Sequence, residues 1–148
     1  MYCRIIVVRG RAMSQFRIPT KNSKYYVPKE TYLTAVHFCK QYPIWTAELA
    51  MTPNPVQGVS YDRDVVQTSG QGDATAMLAV RRAEMARKKK LVDDTAQHVG
   101  GDKYASWILQ GVCFNLAWYQ LEQRGIPCGR DVYYSMRRRF YYELSTRI

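Results

Sequence analysis

Hydrophobic residues recur at three- and four-residue steps along much of the chain, which is the spacing of amphipathic helices. In segment 130–144 this apolar face consists of Tyr133, Met136, Phe140 and Leu144. A stretch with two glycines and a proline, 125–129, comes just before it, and segment 116–124 is also compatible with a helix. The pattern therefore predicts helix, turn and helix at the end of the chain, which is the layout of a helix-turn-helix.

Two short helices are predicted in the first third of the chain. Pro28 suits the first turn of a helix, and the apolar steps behind it predict a helix over roughly 29–41. Pro43 interrupts this pattern, and residues 44–51 continue it as a second short helix. The helical period is then lost among the prolines and glycines of 52–72, which predicts a linker.

The middle of the chain predicts one long helix over residues 73–99. Asp73 suits its N-cap, and Gly100-Gly101 suits a left-handed cap at its end, after which Asp102 begins another helix. Apolar residues recur at every seventh position: Leu78, Met85, Val92 and Val99. The intervening heptad positions are mostly polar, so the apolar seam is thin. Such a helix either packs lightly on its own domain or pairs with a second copy as a homodimer.

These elements predict an all-α fold: a small helical domain ending in a helix-turn-helix, with one long central helix and a flexible N-terminal arm. The predicted parts are an N-terminal arm (1–27), an N-terminal helical hairpin (28–51), a linker (52–72), and the long helix with the C-terminal helix-turn-helix (73–148). Met13 is followed by an ordinary polar start, so we expect it to be the working initiator. Residues 1–12 would then be an extension outside the native chain.

The charge of the chain points to a polyanionic partner. Lys and Arg number 22 against 12 Asp and Glu, which gives a net charge of +10 in 148 residues. Without the three arginines of residues 1–12 the charge is still +7, from 10 minus 3. Nucleic acid is the first candidate. A membrane surface is the competitor, but the basic residues lie on several segments and not on one lipid-facing helix. Surface charge that serves only solubility is the remaining alternative.

No pattern of catalytic or metal-binding residues stands out. Cys3, Cys39, Cys113 and Cys128 are scattered without a C-x-x-C pair, and the chain has two histidines. We interpret the cysteines as reduced, mostly buried thiols of a cytoplasmic protein, and predict neither a metal nor a cofactor. The chain has no glycine-rich phosphate loop after a strand and no spaced set of carboxylates, so we do not predict an enzyme.

The polar face of the last helix is the candidate binding surface. It carries Arg130, Tyr134, Arg137 and Arg138, with Arg139 on the flank. Guanidinium groups mixed with phenols suit a surface that meets phosphates and base edges. A second basic stretch on the long helix could follow a phosphate backbone: Arg87, Lys88, Lys89 and Lys90. A solvated basic face without a ligand is the alternative for both.

The order of these features resembles the phage-associated regulators of the RinA/ArpU type, small proteins encoded in prophages of Gram-positive bacteria. Residues 73–76 open a long helix that continues through a charged segment, 87–92, and 104–112 match the support helix. The most specific stretch is 125–127 followed by 132–144, a turn, an aromatic pair, a basic run and closing hydrophobes. The interval from turn to aromatic pair is longer here than in a standard sigma-like turn.

The resemblance implies a DNA-binding regulator of phage transcription in the cytoplasm of a bacterial host cell. Its C-terminal helix-turn-helix would be similar to the region of primary sigma factors that reads the −35 element. Double-stranded DNA is the expected partner, RNA polymerase or another phage protein a further one, and no membrane is expected. The alternative is a phage structural or packaging adaptor, or a basic phage protein that inhibits a nucleic-acid-binding complex.

Overall fold

The computed structural model describes residues 19–51 and 71–148, except for the side chains of 71–74. Every regular element in these ranges is helical, which confirms the all-α prediction. The helices are α1 (Lys29–Lys40), α2 (Tyr42–Ala50), α3 (Gln71–Val112), α4 (Trp118–Gln123) and α5 (Arg130–Ser145). The predicted arm and linker lie largely outside the described residues, as does the proposed start at Met13.

The glycine pair breaks α3 as predicted. Gly101 has φ +60°, a backbone conformation that other residues rarely adopt. It divides α3 into a long arm, 71–100, and a short arm, 102–112. A Cβ on Gly100 would lie 2.7 Å from Ile108 Cδ1, so the two arms pack too closely for a side chain there. The predicted N-cap at Asp73 is wrong, because α3 begins at Gln71.

The main core lies where α5 packs between α1 and both arms of α3. Its fully buried members include Cys39, Val92, Ala96, Ile108, Phe140 and Leu144. The heptad seam of the long arm takes part in this core, because Met85 and Val92 are buried while Leu78 at the seam's start is 49% exposed. From Met85 onward the seam is thus covered by its own chain and is not open to a second copy.

A smaller core holds α4 and the following turn against the start of α5. It is formed by Leu121, Ile126 and Tyr133, and the Trp118 ring lies 5.6 Å from the Tyr133 ring. Tyr133 in turn packs directly on Gly111 of α3, where an added Cβ would lie 1.7 Å from the tyrosine oxygen. The turn and the first residues of α5 are therefore fixed to the short arm of α3.

The long arm of α3 also holds the end of α2. The Arg82 guanidinium donates to the carbonyl oxygens of Glu48, Leu49 and Met51 at 3.0, 3.1 and 3.1 Å. These carbonyls belong to the last turn of α2 and to its C-cap residue, Met51, and no further helical N–H follows to satisfy them. One side chain thus caps α2 and fixes it on α3.

Candidate nucleic-acid interface

The end of the chain has the helix, turn and helix that the sequence predicts. α4 is only six residues long, shorter than the predicted segment 116–124. Gly125 has φ +85°, and its N–H donates to the Glu122 carbonyl at 3.0 Å. The Ile126 N–H donates to the Leu121 carbonyl at 3.1 Å, and α5 begins after Gly129. The left-handed glycine lets the chain reverse at the end of α4 and leads it into α5.

Three of the predicted binding residues lie along one ridge of α5. The guanidinium carbon of Arg130 is 5.8 Å from the centre of the Tyr134 ring. Seven residues on, that of Arg137 is 5.8 Å from the Tyr141 ring. Both pairs are spaced i, i+4, which brings side chains together on a helix surface, and both distances suit a cation–π contact.

This ridge does not face outward along its whole length, and the prediction that Arg137 lies on the exposed face is wrong. Arg137 comes four residues after Tyr133 and four before Tyr141, which are both buried, so helical spacing carries it into the packed side. Burial by itself would lower the pKa of its guanidinium, but the hydroxyls of Tyr141, Tyr133 and Tyr32 keep the pKa above its ordinary value. Arg137 is half-buried and belongs to the packing of α5.

The other predicted residues of α5 remain accessible to differing degrees. Arg130, in the first turn, and Arg138 are exposed, whereas Tyr134 is half-buried beside Tyr133. Arg139 is half-buried, and its Nε lies 3.9 Å from Glu143 Oε1. The cationic surface that α5 offers is therefore formed mainly by Arg130 and Arg138, with fewer charges than the sequence predicts.

The basic stretch of α3 likewise contains both exposed side chains and side chains that are held in ion pairs. Arg87 and Lys90 are exposed. Lys88 Nζ lies 2.7 Å from Glu84 Oε1.

Lys89 is part of the contact between α2 and α3. Its Nζ lies 2.7 Å from Asp93 Oδ2, and the Tyr42 hydroxyl donates to Asp93 Oδ1 at 2.6 Å. The bond to Asp93 raises the pKa of Lys89, while burial, followed by the Asp93 bond, raises the pKa of Tyr42 to about 12. Lys89 therefore has a structural role that explains its presence without a ligand.

One further cation, which no sequence pattern indicates, lies beside this stretch. Arg147, just past the end of α5, has its Nη1 3.3 Å from Thr95 Oγ1 of α3, and it borders the same groove as Arg87 and Lys90. Arg130 lies at the opposite end of α5, whose 16 residues span about 24 Å. No periodicity signals Arg147, because only the docking of the α5 C-terminus on α3 brings it to these residues.

The described residues contain no group of three or more His, Cys, Asp or Glu side chains arranged to hold a metal ion. Within the same part of the chain, no helix has the length and apolar character needed to cross a membrane. Comparison with known protein families, with curated proteins and with solved structures gave no match.

Proposed function

We propose that the protein binds double-stranded DNA as a transcriptional regulator similar to the RinA/ArpU-type phage regulators, with α5 in the major groove. The observation that carries this proposal is the form of α4, turn and α5, with the apolar side of α5 packed and Arg130 exposed in its first turn. In a helix-turn-helix, the N-terminal residues of the second helix meet base edges. Arg130 is in that position, and Asp131 beside it is also exposed.

The roles of the individual side chains follow from their accessibility. Arg130 is assigned to base edges, since arginine donates two parallel bonds to guanine in the major groove. Arg138, two turns further along α5, is assigned to backbone phosphate. Arg137 is assigned to the packing of α5 and not to a base.

The test is selection of bound fragments from the source genome at two salt concentrations, followed by affinity measurements on the best fragment and on unrelated duplex. Salt weakens all binding, but a true operator keeps its advantage over other sequences. Arg130→Ala should weaken operator binding by about 1–3 kcal/mol and unrelated duplex much less. Arg138→Ala should weaken both and lower the salt slope by about one.

Arg81→Ala is the matched control, since Arg81 is an exposed cation whose Nη2 lies 3.4 Å from Glu48 Oε2 in an exposed pair. It should leave operator affinity unchanged. Equal losses on operator and unrelated duplex with Arg130→Ala would contradict base reading by α5.

A second candidate, a phage structural or packaging adaptor, is favoured by one feature. The start of the long arm of α3 exposes three apolar side chains: Met77 (72%), Leu78 (49%) and Val80 (68%). Exposed apolar groups that lie together are typical of surfaces that assemble. Light scattering on the purified protein separates the two candidates, because a ring-sized oligomer supports the adaptor and a monomer or dimer supports the regulator.

A further inference from the structure

A concave groove lies where the end of α5 meets α1 and α3. Its volume is about 530 Å³, and small-molecule sites typically have about 300–1,000 Å³. Arg87 and Lys90, both exposed, and Arg147 supply positive charge along it, while the half-buried side chains of Phe38 and Leu91 supply apolar surface. The groove thus combines exposed cations with half-buried apolar side chains.

The positive charge of the groove is only partly compensated. The Nη2 of Arg147 lies 3.9 Å from Oε2 of Glu143 in α5, a long and partly exposed ion pair. Arg87 and Lys90 make no ion pair with any residue in the described ranges. Asp94 has the single side-chain carboxylate among the described residues that line the groove. An anion entering the groove therefore meets cations whose charge is still available.

Asp94 favours a small ligand over a nucleic-acid backbone. A carboxylate repels the phosphates of a continuous strand, which has one at every step. It is a good acceptor, however, for a hydroxyl or amino group on the same molecule as a phosphate. Cations, apolar surface and one acceptor together match a molecule with phosphates, a flat ring and hydroxyl or amino donors.

We propose that this groove binds a phosphorylated small molecule of the nucleotide class. Arg87, Lys90 and Arg147 hold the phosphates, the ring lies against Phe38 and Leu91, and Asp94 accepts from a sugar hydroxyl or a ring amino group. The groove lies at the opposite end of α5 from Arg130. Ligand binding in the groove and operator binding by Arg130 can therefore be measured separately, and either proposal can be refuted without the other.

The test is calorimetric titration of the full chain with ADP, with pyrophosphate and with adenosine. ADP is expected to saturate one site, and pyrophosphate and adenosine to bind at least about tenfold more weakly, since each lacks half of the contacts. Lys90→Ala and Arg87→Ala should each weaken ADP about tenfold, the loss of one charge-assisted hydrogen bond. Both residues are exposed, so the fold should be kept, and thermal unfolding checks this.

Asp94→Asn gives the sharpest test, with Arg81→Ala as the matched charge control. Asp94→Asn should weaken ADP and leave pyrophosphate unchanged or tighter, whereas Arg81→Ala should change neither. Pyrophosphate binding as tight as that of ADP would overturn the proposal, because the groove would then be only a basic surface. Displacement of ADP by duplex, with Arg87→Ala weakening both alike, would overturn it in favour of a backbone site. No saturable ADP binding would also refute it.

Discussion

The contact between Gly111 of α3 and Tyr133 of α5 sets how closely the two helices approach, and it yields a quantitative prediction. A Cβ on Gly111 would lie 1.7 Å from the Tyr133 oxygen and 2.9 Å from its Cζ. The Tyr133 side chain is fully buried, and among the described residues its hydroxyl has no hydrogen-bond partner. Gly111→Ala therefore forces Tyr133 or the α5 backbone to move, and the oxygen is the first obstacle.

The magnitude comes from two opposing effects. Overpacking a core typically costs about 1–3 kcal/mol, and so severe an overlap belongs at the upper end. Alanine in place of glycine inside a helix stabilises the folded state by about 0.5–1 kcal/mol. Gly111→Ala should therefore lower the free energy of unfolding by about 2 kcal/mol. Tyr133→Phe removes a buried hydroxyl without a partner, so it should leave stability unchanged or raise it by about 1 kcal/mol.

The double variant Gly111→Ala/Tyr133→Phe tests the cause. Without the oxygen, the nearest ring atom is the Cζ at 2.9 Å, and a small shift relieves it. The double variant should thus be more stable than the sum of the single effects, with a coupling of about 1–2 kcal/mol. Urea unfolding followed by circular dichroism at 222 nm measures all four proteins. Additive effects, or a Gly111→Ala variant as stable as the parent, would refute the packing described for α3 and α5.

Three further predictions concern stability and its dependence on pH. Arg82→Ala should lower the free energy of unfolding by about 1–2 kcal/mol, because three helix-end carbonyls lose their donor. The control Arg81→Ala should change this free energy by less than about 0.5 kcal/mol. Urea unfolding of both variants measures the difference. Arg137→Ala should also lower the free energy of unfolding, by about 1–2 kcal/mol, and weaken binding to operator and to unrelated duplex equally. A loss of operator binding alone would instead indicate that Arg137 contacts a base. The raised pKa of Tyr42 favours the neutral phenol in the folded state. The contribution of Tyr42 to stability should therefore be complete below pH 10 and be lost as pH rises towards about 12. In unfolding experiments at several pH values, Tyr42→Phe should make this decline in stability shallower.

The local pattern predicted the helices well and the accessible charges poorly. The glycine pair at 100–101 and the apolar spacing of α5 are local features, and the structure has both. Arg137 was misplaced because a polar residue was assumed to face solvent, although its spacing from two buried tyrosines brings it to the packed side of α5, where it is half-buried. Arg147 and the groove depend on how the end of α5 meets α3, a contact between residues far apart in sequence. Periodicity within one helix carries no information about such contacts.

Because Arg137 is half-buried, the proposed DNA contact requires a different orientation of α5 in the major groove. If four side chains along α5 read bases, the helix would have to lie lengthwise in the major groove with its whole ridge facing the DNA. Arg137 on that ridge is half-buried, however, and Tyr141 is buried. If Arg130 is the accessible base reader, we expect α5 to enter the groove by its first turn instead. The fixed turn around Gly125 and the packing of Tyr133 on Gly111 would then contribute to recognition, because they would hold the first turn of α5 rigidly and lower the entropic cost of binding.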